Sequence, residues 1–271
     1  MTEKVMILGA DGMLGQLAAK FFAAKYEVII LNDRYIPSSR SKYIDKIIGL
    51  SPTAIINCVG KIKQKTSRFE DLIISNALLP LDLNGLPEHI IIINPSTDCV
   101  FSGANIQPYD FSFQPDAEDD YGLSKIYGEL SSLRRKNSFI IRTSIIGLTK
   151  NNESAGLLDW FMKQPKNSSI NGFTNHHWNG ITTLEWCIIA ESIIHDLRAG
   201  KASSKTKNFF QVGAKNTVSK YELLEIANKV FNRNLTIIPT IAPQTINRAL
   251  LPTVKIDSVL EQLERYAKWM N

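Results

Sequence analysis

Short apolar runs separated by helix-length amphipathic stretches set the pattern of the first half of this chain. Val5-Met6-Ile7-Leu8 ends at Gly9, Met13 to Lys25 follows with helical periodicity, and Val28-Ile29-Ile30-Leu31 is a second apolar run. Ala54 to Cys58, Ile90 to Asn94 and Phe139 to Arg142 repeat the pattern, each bounded by proline or polar residues. Continuous β-branched runs alternating with helices predict buried strands in a parallel sheet covered on both faces, an α/β, doubly wound architecture. The stretch from Arg34 to Leu50 is short for a strand plus a full helix, so one strand is expected to be vestigial. After about Gly147 the alternation becomes irregular. Asn, Gly and Ser are frequent in Asn151 to Gly156 and Asn167 to Gly172. Helices are predicted over Leu184 to Leu197 and Lys220 to Phe231, with a strand at Phe209 to Val212 between them. This predicts a first α/β domain over 1–147. Residues 148–271 are expected to form mainly a smaller substrate lobe against the carboxyl ends of the strands, with room for segments that return to the first domain.

Composition narrows the class. The chain has 271 residues, 44% of them hydrophobic, which is ample for a packed core. No apolar run approaches the roughly 18 residues of a membrane span, and the N-terminus lacks a signal-peptide pattern. The three cysteines, Cys58, Cys99 and Cys187, are too scattered for a metal site and too few for a disulfide framework. A reducing cytoplasm and no metal are expected. The net charge of +5 is spread along the chain, densest at Lys61 to Lys65 and Arg134 to Lys136. Such clusters read first as solvated faces and next as attraction for an anionic small molecule; without a recognisable motif, nucleic acid is not expected. Oligomeric state stays open, a homodimer included.

Gly9-Ala10-Asp11-Gly12-Met13-Leu14-Gly15 joins the first predicted strand to the first helix. Glycines here permit a tight turn and close backbone approach to a pyrophosphate, whose charge the helix N-terminus stabilises. The loop and Met13 and Leu14 behind it are therefore candidate cofactor contacts. Asn32-Asp33-Arg34 ends the second strand, where an adenosine ribose would lie. A carboxylate at Asp33 favours NAD, whereas Asn32 with Arg34 suits a 2′-phosphate; the expectation leans to NADP over NAD.

Tyr121 precedes Lys125 by four residues, a spacing that stacks phenol and ammonium on one helix face, where the cation would lower the phenol pKa. Upstream, the strand at Ile90 runs into Pro95-Ser96-Thr97-Asp98-Cys99-Val100-Phe101-Ser102-Gly103, which places Thr97 at a strand's carboxyl end beside the same crevice. With the glycine loop, Asn57-Cys58-Val59-Gly60 and Arg142-Thr143-Ser144, this order of motifs resembles the extended short-chain dehydrogenase/reductases. More narrowly, it is similar to the dTDP-4-dehydrorhamnose reductase group.

The resemblance implies a Rossmann-type fold and reduction of a 4-keto-6-deoxy nucleotide-diphosphate sugar by NADPH or NADH, in deoxysugar or surface polysaccharide synthesis. Tyr121 would give the proton, Thr97 would polarise the carbonyl, and Lys125 would tune Tyr121 and hold the nicotinamide ribose. Cofactor-side candidates are Gly9, Asp11, Gly12, Met13, Leu14, Gly15, Asn32, Asp33, Arg34, Cys58, Val59, Gly60, Asn76, Tyr121, Lys125 and Thr143. Substrate-side candidates are Cys99, Val100 and Phe101, with Asn175, His176, Trp178 and Asn179 as a polar, aromatic wall. Two departures matter. Sugar-nucleotide dehydratases have a glutamate after the Asp98 position, and its lack here argues against dehydration. Reductases carry tyrosine where Cys99 stands. A cysteine there is similar to GDP-fucose synthase, an epimerase–reductase, with His176 or His177 as the thiol's partner. That activity is one alternative; a non-catalytic, NADP-binding regulatory subunit is another.

Overall fold

The computed structural model describes residues 3–150, 156–200 and 208–270. Five strands follow the predicted apolar runs: β1 (Lys4–Leu8), β2 (Glu27–Leu31), β3 (Ala54–Asn57), β4 (Ile91–Ser96) and β5 (Ser138–Arg142). Between them lie α1 (Met13–Ala23), α2 (Arg40–Leu50), α3 (Phe69–Ile73), α4 (Leu79–Leu83) and α5 (Asp120–Ser132). A π-helical turn, Ile74–Leu78, joins α3 to α4. Two further strands, Phe209–Ala214 and Val254–Ile256, extend the sheet beside β5, giving seven parallel strands among the described residues. The fold is a Rossmann-like, doubly wound α/β sheet.

Alternation in β1 supplies both faces. Val5 and Ile7 join the larger core with Leu17, Phe22 and Trp186, whereas Met6 and Leu8 face Tyr43, Ile47, Leu79 and Leu83. The strand expected to be vestigial between Arg34 and Leu50 does not form: a short 3₁₀ turn at Pro37–Ser39 leads directly into α2. So β2 is an edge strand, and Ile30 is 46% exposed rather than buried as its apolar run suggested.

Beyond β5 the chain forms β6 (Ile145–Ile146), α6 (Leu157–Lys163), β7 (Ser169–Phe173), β8 (His176–Trp178), β9 (Ile181–Thr182) and α7 (Thr183–Arg198). Of the polar stretch Asn151 to Gly156, only Gly156 falls within the described residues. After β10 (Phe209–Ala214) come β11 (Val218–Ser219), α8 (Lys220–Val230), β12 (Thr236–Thr240), β13 (Ile246–Asn247), β14 (Val254–Ile256) and α9 (Val259–Met270). The strands β11, β8 and β13 pair in that order into a small sheet of their own. Among the described residues, no helix is long and apolar enough to cross a membrane.

Candidate active site

The turn after β1 is built for close approach. Gly9 has φ +74°, and its carbonyl accepts from Gly12 N at 3.2 Å. A Cβ on Gly15 would stand 2.1 Å from that carbonyl, so only glycine lets α1 pack against its own loop. The N-cap of α1 is Gly12, no side chain caps the helix, and its first turn holds no acid, which leaves the orphan N–H groups available to an anion. Two adjoining clefts of about 580 and 350 Å³ open here, both lined by Asp11, Gly12, Cys58, Gly60 and Lys65. Met13 and Leu14 line the smaller one, Val59 the larger, and Asn32, Asp33 and Arg34 its outer rim. These residues fit a dinucleotide: a glycine turn, an uncapped helix start and an elongated cleft over the strand ends. At the rim, Asp33 is paired with Lys46 at 2.5 Å, while Arg34 makes no ion pair or side-chain hydrogen bond among the described residues.

Two of the expected cofactor contacts are used differently. The Asn76 amide donates to Lys61 O and Ser124 Oγ, both at 2.9 Å, and accepts from Lys61 N at 3.0 Å. It therefore braces the loop after β3 against α5. Thr143 is 1% exposed and donates to Ser144 O, which places its hydroxyl inside the protein.

Thr97, Tyr121 and Lys125 meet at the carboxyl end of β4. The Asp119 carboxylate caps α5 by accepting from Gly122 N at 2.7 Å. A Cβ on Gly122 would lie 2.5 Å from Cys99 O, so glycine allows the start of the helix to press on the loop after β4. Tyr121 thereby reaches the Thr97 hydroxyl. The Thr97 hydroxyl donates to Asp98 Oδ1 and accepts from Cys99 N, both at 3.1 Å. The Lys125 ammonium donates to Pro95 O at 2.7 Å.

The electrostatics correct one expectation. Burial, aided by Cys99, raises Tyr121 well above the ordinary phenol value and outweighs the opposing contact with the Thr97 hydroxyl. Burial also pushes Lys125 down to about 8, against the opposing pull of Glu129. Burial thus favours the neutral phenol, against the expectation that Lys125 lowers its pKa.

Behind the trio lies a buried network that local motifs did not reveal. Glu129 accepts from Ser96 Oγ at 2.5 Å and from Arg142 at 2.6 and 2.8 Å. Arg142 also donates to Gln211 at 3.2 Å, and its guanidinium stands over the rings of Phe101 and Phe209. Glu129 continues the Tyr121, Lys125 spacing by four, a signal that was readable; Gln211 carries none.

On the substrate side, Cys99 is partly buried, and burial with the neighbouring Asp98 pushes its thiol up to about 11. Arg248 donates to Cys99 Sγ at 3.4 Å. Val100 and Phe101, expected as substrate contacts, have no exposure: they pack with Tyr109 and Leu250 behind the site wall. The wall expected over 175–179 is mostly internal bracing. Asn175 spans to Ala242 N and O, Asn179 to Leu250 N and O, and Trp178 is 3% exposed. His176 Nε2 bonds with Gln244 O at 3.1 Å. No hydrogen bond joins Cys99 to His176 or His177 among the described residues, and Cys99 faces Thr97 and Arg248 instead.

Residues 3–254 match the family model for the RmlD substrate binding domain. The chain belongs to that family. Over 150 residues it is 31% identical to the spore coat polysaccharide biosynthesis protein SpsK of Bacillus subtilis strain 168. That match covers 52% of each sequence, so the chain spans about half the length of this curated relative. The fold is shared with dTDP-4-dehydrorhamnose reductase from Bacillus anthracis, solved with NADP (TM-score 0.80, 19% identity, 98% of this chain and 99% of that one). It is shared equally with the Clostridium acetobutylicum dTDP-4-dehydrorhamnose reductase (0.78, 17%, 98% and 99%). A dTDP-glucose 4,6-dehydratase from Bacillus anthracis, solved with NAD, is similar in fold at 11% identity (0.72, 98% and 96%). In this RmlD-family chain two cations also border the site, Lys220 at the start of α8 and Arg248 after β13; neither has a local sequence signature.

Proposed function

We propose that this chain is an NADPH- or NADH-dependent reductase of a 4-keto-6-deoxy nucleotide sugar, serving deoxysugar or surface polysaccharide synthesis. The observation that carries the reading is the convergence of Thr97, Tyr121 and Lys125 at a strand end beside the glycine turn. In this reading residues 1–147 hold the cofactor and the later segments around β8, β11 and β13 cover the sugar. Gly9, Asp11, Gly12 and the other residues lining the cleft would hold a nicotinamide cofactor, which when bound would supply the hydride that reduces the carbonyl. Tyr121, held neutral by burial, gives its hydroxyl proton to the carbonyl oxygen, and the ketone becomes a hydroxyl. The Thr97 hydroxyl turns from Asp98 to donate to the same oxygen as charge develops there. The Lys125 ammonium stabilises the phenolate left on Tyr121 until a solvent proton replaces the one transferred. Asp33 tied to Lys46 and a free Arg34 favour NADP. A neutral Cys99 without a hydrogen-bonded histidine gives epimerisation no support, and an intact acid–base trio argues against a purely regulatory role.

The test is NADPH and NADH oxidation by the purified protein with 4-keto-6-deoxy nucleotide sugars. Tyr121→Phe should lower turnover by about 10²–10⁴-fold, the range of general acid catalysis, while leaving NADPH binding in place. Undiminished turnover in that variant refutes the mechanism.

A further inference from the structure

Two buried asparagines interrupt an otherwise apolar face of the central sheet. Ile55 of β3 and Ile92 of β4 face the core around Tyr43 and Ile47, and strand alternation sends Asn57 and Asn94 to the same side. Asn57, Asn94 and Ser138 of β5 are only 2%, 4% and 1% exposed. A buried amide without partners costs roughly 2–7 kcal/mol, so each of these groups needs a bond. None of the three lines either cleft described above.

They bond to one another in a single direction. Val59 N donates to Asn57 Oδ1 at 3.3 Å, Asn57 Nδ2 to Asn94 Oδ1 at 2.9 Å, and Asn94 Nδ2 to Ser138 Oγ at 3.0 Å. A backbone N–H can only donate, so the Val59 end fixes the order of the rest. Turning Asn57 over sets donor against donor at Val59 and acceptor against acceptor at Asn94. Turning Asn94 over sets two amide N–H groups face to face. The row therefore has one arrangement, and it runs from the start of β5 across β4 to the loop after β3.

That loop is where position matters. Val59 lines the larger cleft, and Gly60 lines both. The loop also presses on the glycine turn: a Cβ on Gly9 would stand 2.9 Å from both Cys58 C and Val59 N. A shift of Val59 thus changes the gap between the two walls of the cleft. Lys61, two residues on, is held through its N–H and carbonyl by Asn76. The loop is pinned from the helical side at Lys61 and from inside the sheet at Val59.

We propose that Asn94 is a positioning residue for the cofactor: through Asn57 it fixes Val59 and Gly60 against the glycine turn, with Ser138 as the far anchor. This role rests on reading the two clefts as a dinucleotide site, and not on which ketone is reduced. Low-dielectric surroundings strengthen each bond of such a row, and its members polarise one another.

The experiment is fluorescence titration of the purified protein with NADPH and with NADH, alongside thermal denaturation of each variant. Asn94→Leu keeps the size of the side chain but leaves Asn57 Nδ2 without an acceptor; cofactor affinity should fall about tenfold. Asn94→Asp keeps an acceptor oxygen for Asn57 but buries a carboxyl group. Its melting point should fall while cofactor affinity stays within about threefold of the unaltered protein. A purely structural role would instead make affinity follow stability. In Asn57→Ala the link is already cut, so adding Asn94→Leu should weaken the cofactor no further. Undiminished affinity in a folded Asn94→Leu overturns the positioning role, as do equal losses in Asn94→Leu and Asn94→Asp or an additional loss in the double variant. Should Asn94→Leu not fold, Ser138→Ala carries the test: affinity weaker by about threefold supports the row, and full affinity overturns it. No binding of either cofactor by the unaltered protein overturns the positioning role and the dinucleotide site together.

Discussion

Replacing Glu129 by glutamine probes how far the buried network sets the chemistry in front of it. Both partners of the Glu129–Arg142 pair have side chains only 6% exposed, and Glu129 also anchors Ser96, the residue before Thr97. Removing one charge from a buried, hydrogen-bonded pair costs about 3–5 kcal/mol, because the remaining guanidinium keeps its desolvation penalty without its counterion. Glutamine still offers one acceptor, so the low end, about 3 kcal/mol, is expected. For a chain of this size that corresponds to a melting point lower by roughly 6–12 °C. A second effect separates this from ordinary core damage. Glu129 raises the Lys125 pKa against desolvation. The proposed mechanism uses charged Lys125, so activity should fall as pH rises through about 8. Without the Glu129 charge the ammonium form is less favoured, and the alkaline limb should move to lower pH. Thermal denaturation and pH–rate profiles of Glu129→Gln read both. A stability loss under about 1 kcal/mol, or an alkaline limb that stays in place in a folded variant, refutes the reasoning.

Three further outcomes are expected. Gly15→Ala places a Cβ 2.1 Å from Gly9 O, so the loop must shift; NADPH affinity should fall by tenfold or more, about 1.4 kcal/mol, in a fluorescence titration, and unchanged affinity would contradict the cradle. Arg34→Gln should weaken NADPH by about tenfold and leave NADH nearly unaffected, since only the 2′-phosphate is addressed; equal losses for both would exclude that role. Tyr266→Phe removes the acceptor of Leu148 N, a part-buried 2.8 Å bond to a fully buried tyrosine, and should lower stability by about 1–3 kcal/mol in urea denaturation without changing KM.

Much of the first half was legible because its signals are local. Strand periodicity, a glycine turn at a strand-to-helix junction and a Tyr–Lys pair four apart each arise from backbone geometry within one element. The edge character of β2 was not, since exposure of Ile30 depends on a strand that fails to form elsewhere. Val100 and Phe101 looked like site residues by proximity in sequence to Thr97, but their side chains turn inward to Tyr109 and Leu250. Asn175, Trp178 and Asn179 looked like a binding surface because polar and aromatic residues cluster there; tertiary contacts to Ala242 and Leu250 use up the asparagine amides.

By itself, then, the sequence determined the parallel sheet, the glycine turn and which three residues are proposed as an acid–base trio, all properties of segments a few residues long. Only the tertiary structure decided the direction in which the Tyr121 and Lys125 pKa values shift, because burial, not their mutual spacing, dominates both. It alone brought Lys220 and Arg248 to Cys99 from more than 100 residues away. Charge placement across a fold depends on pairings between distant strands, and no local pattern in the chain encodes them.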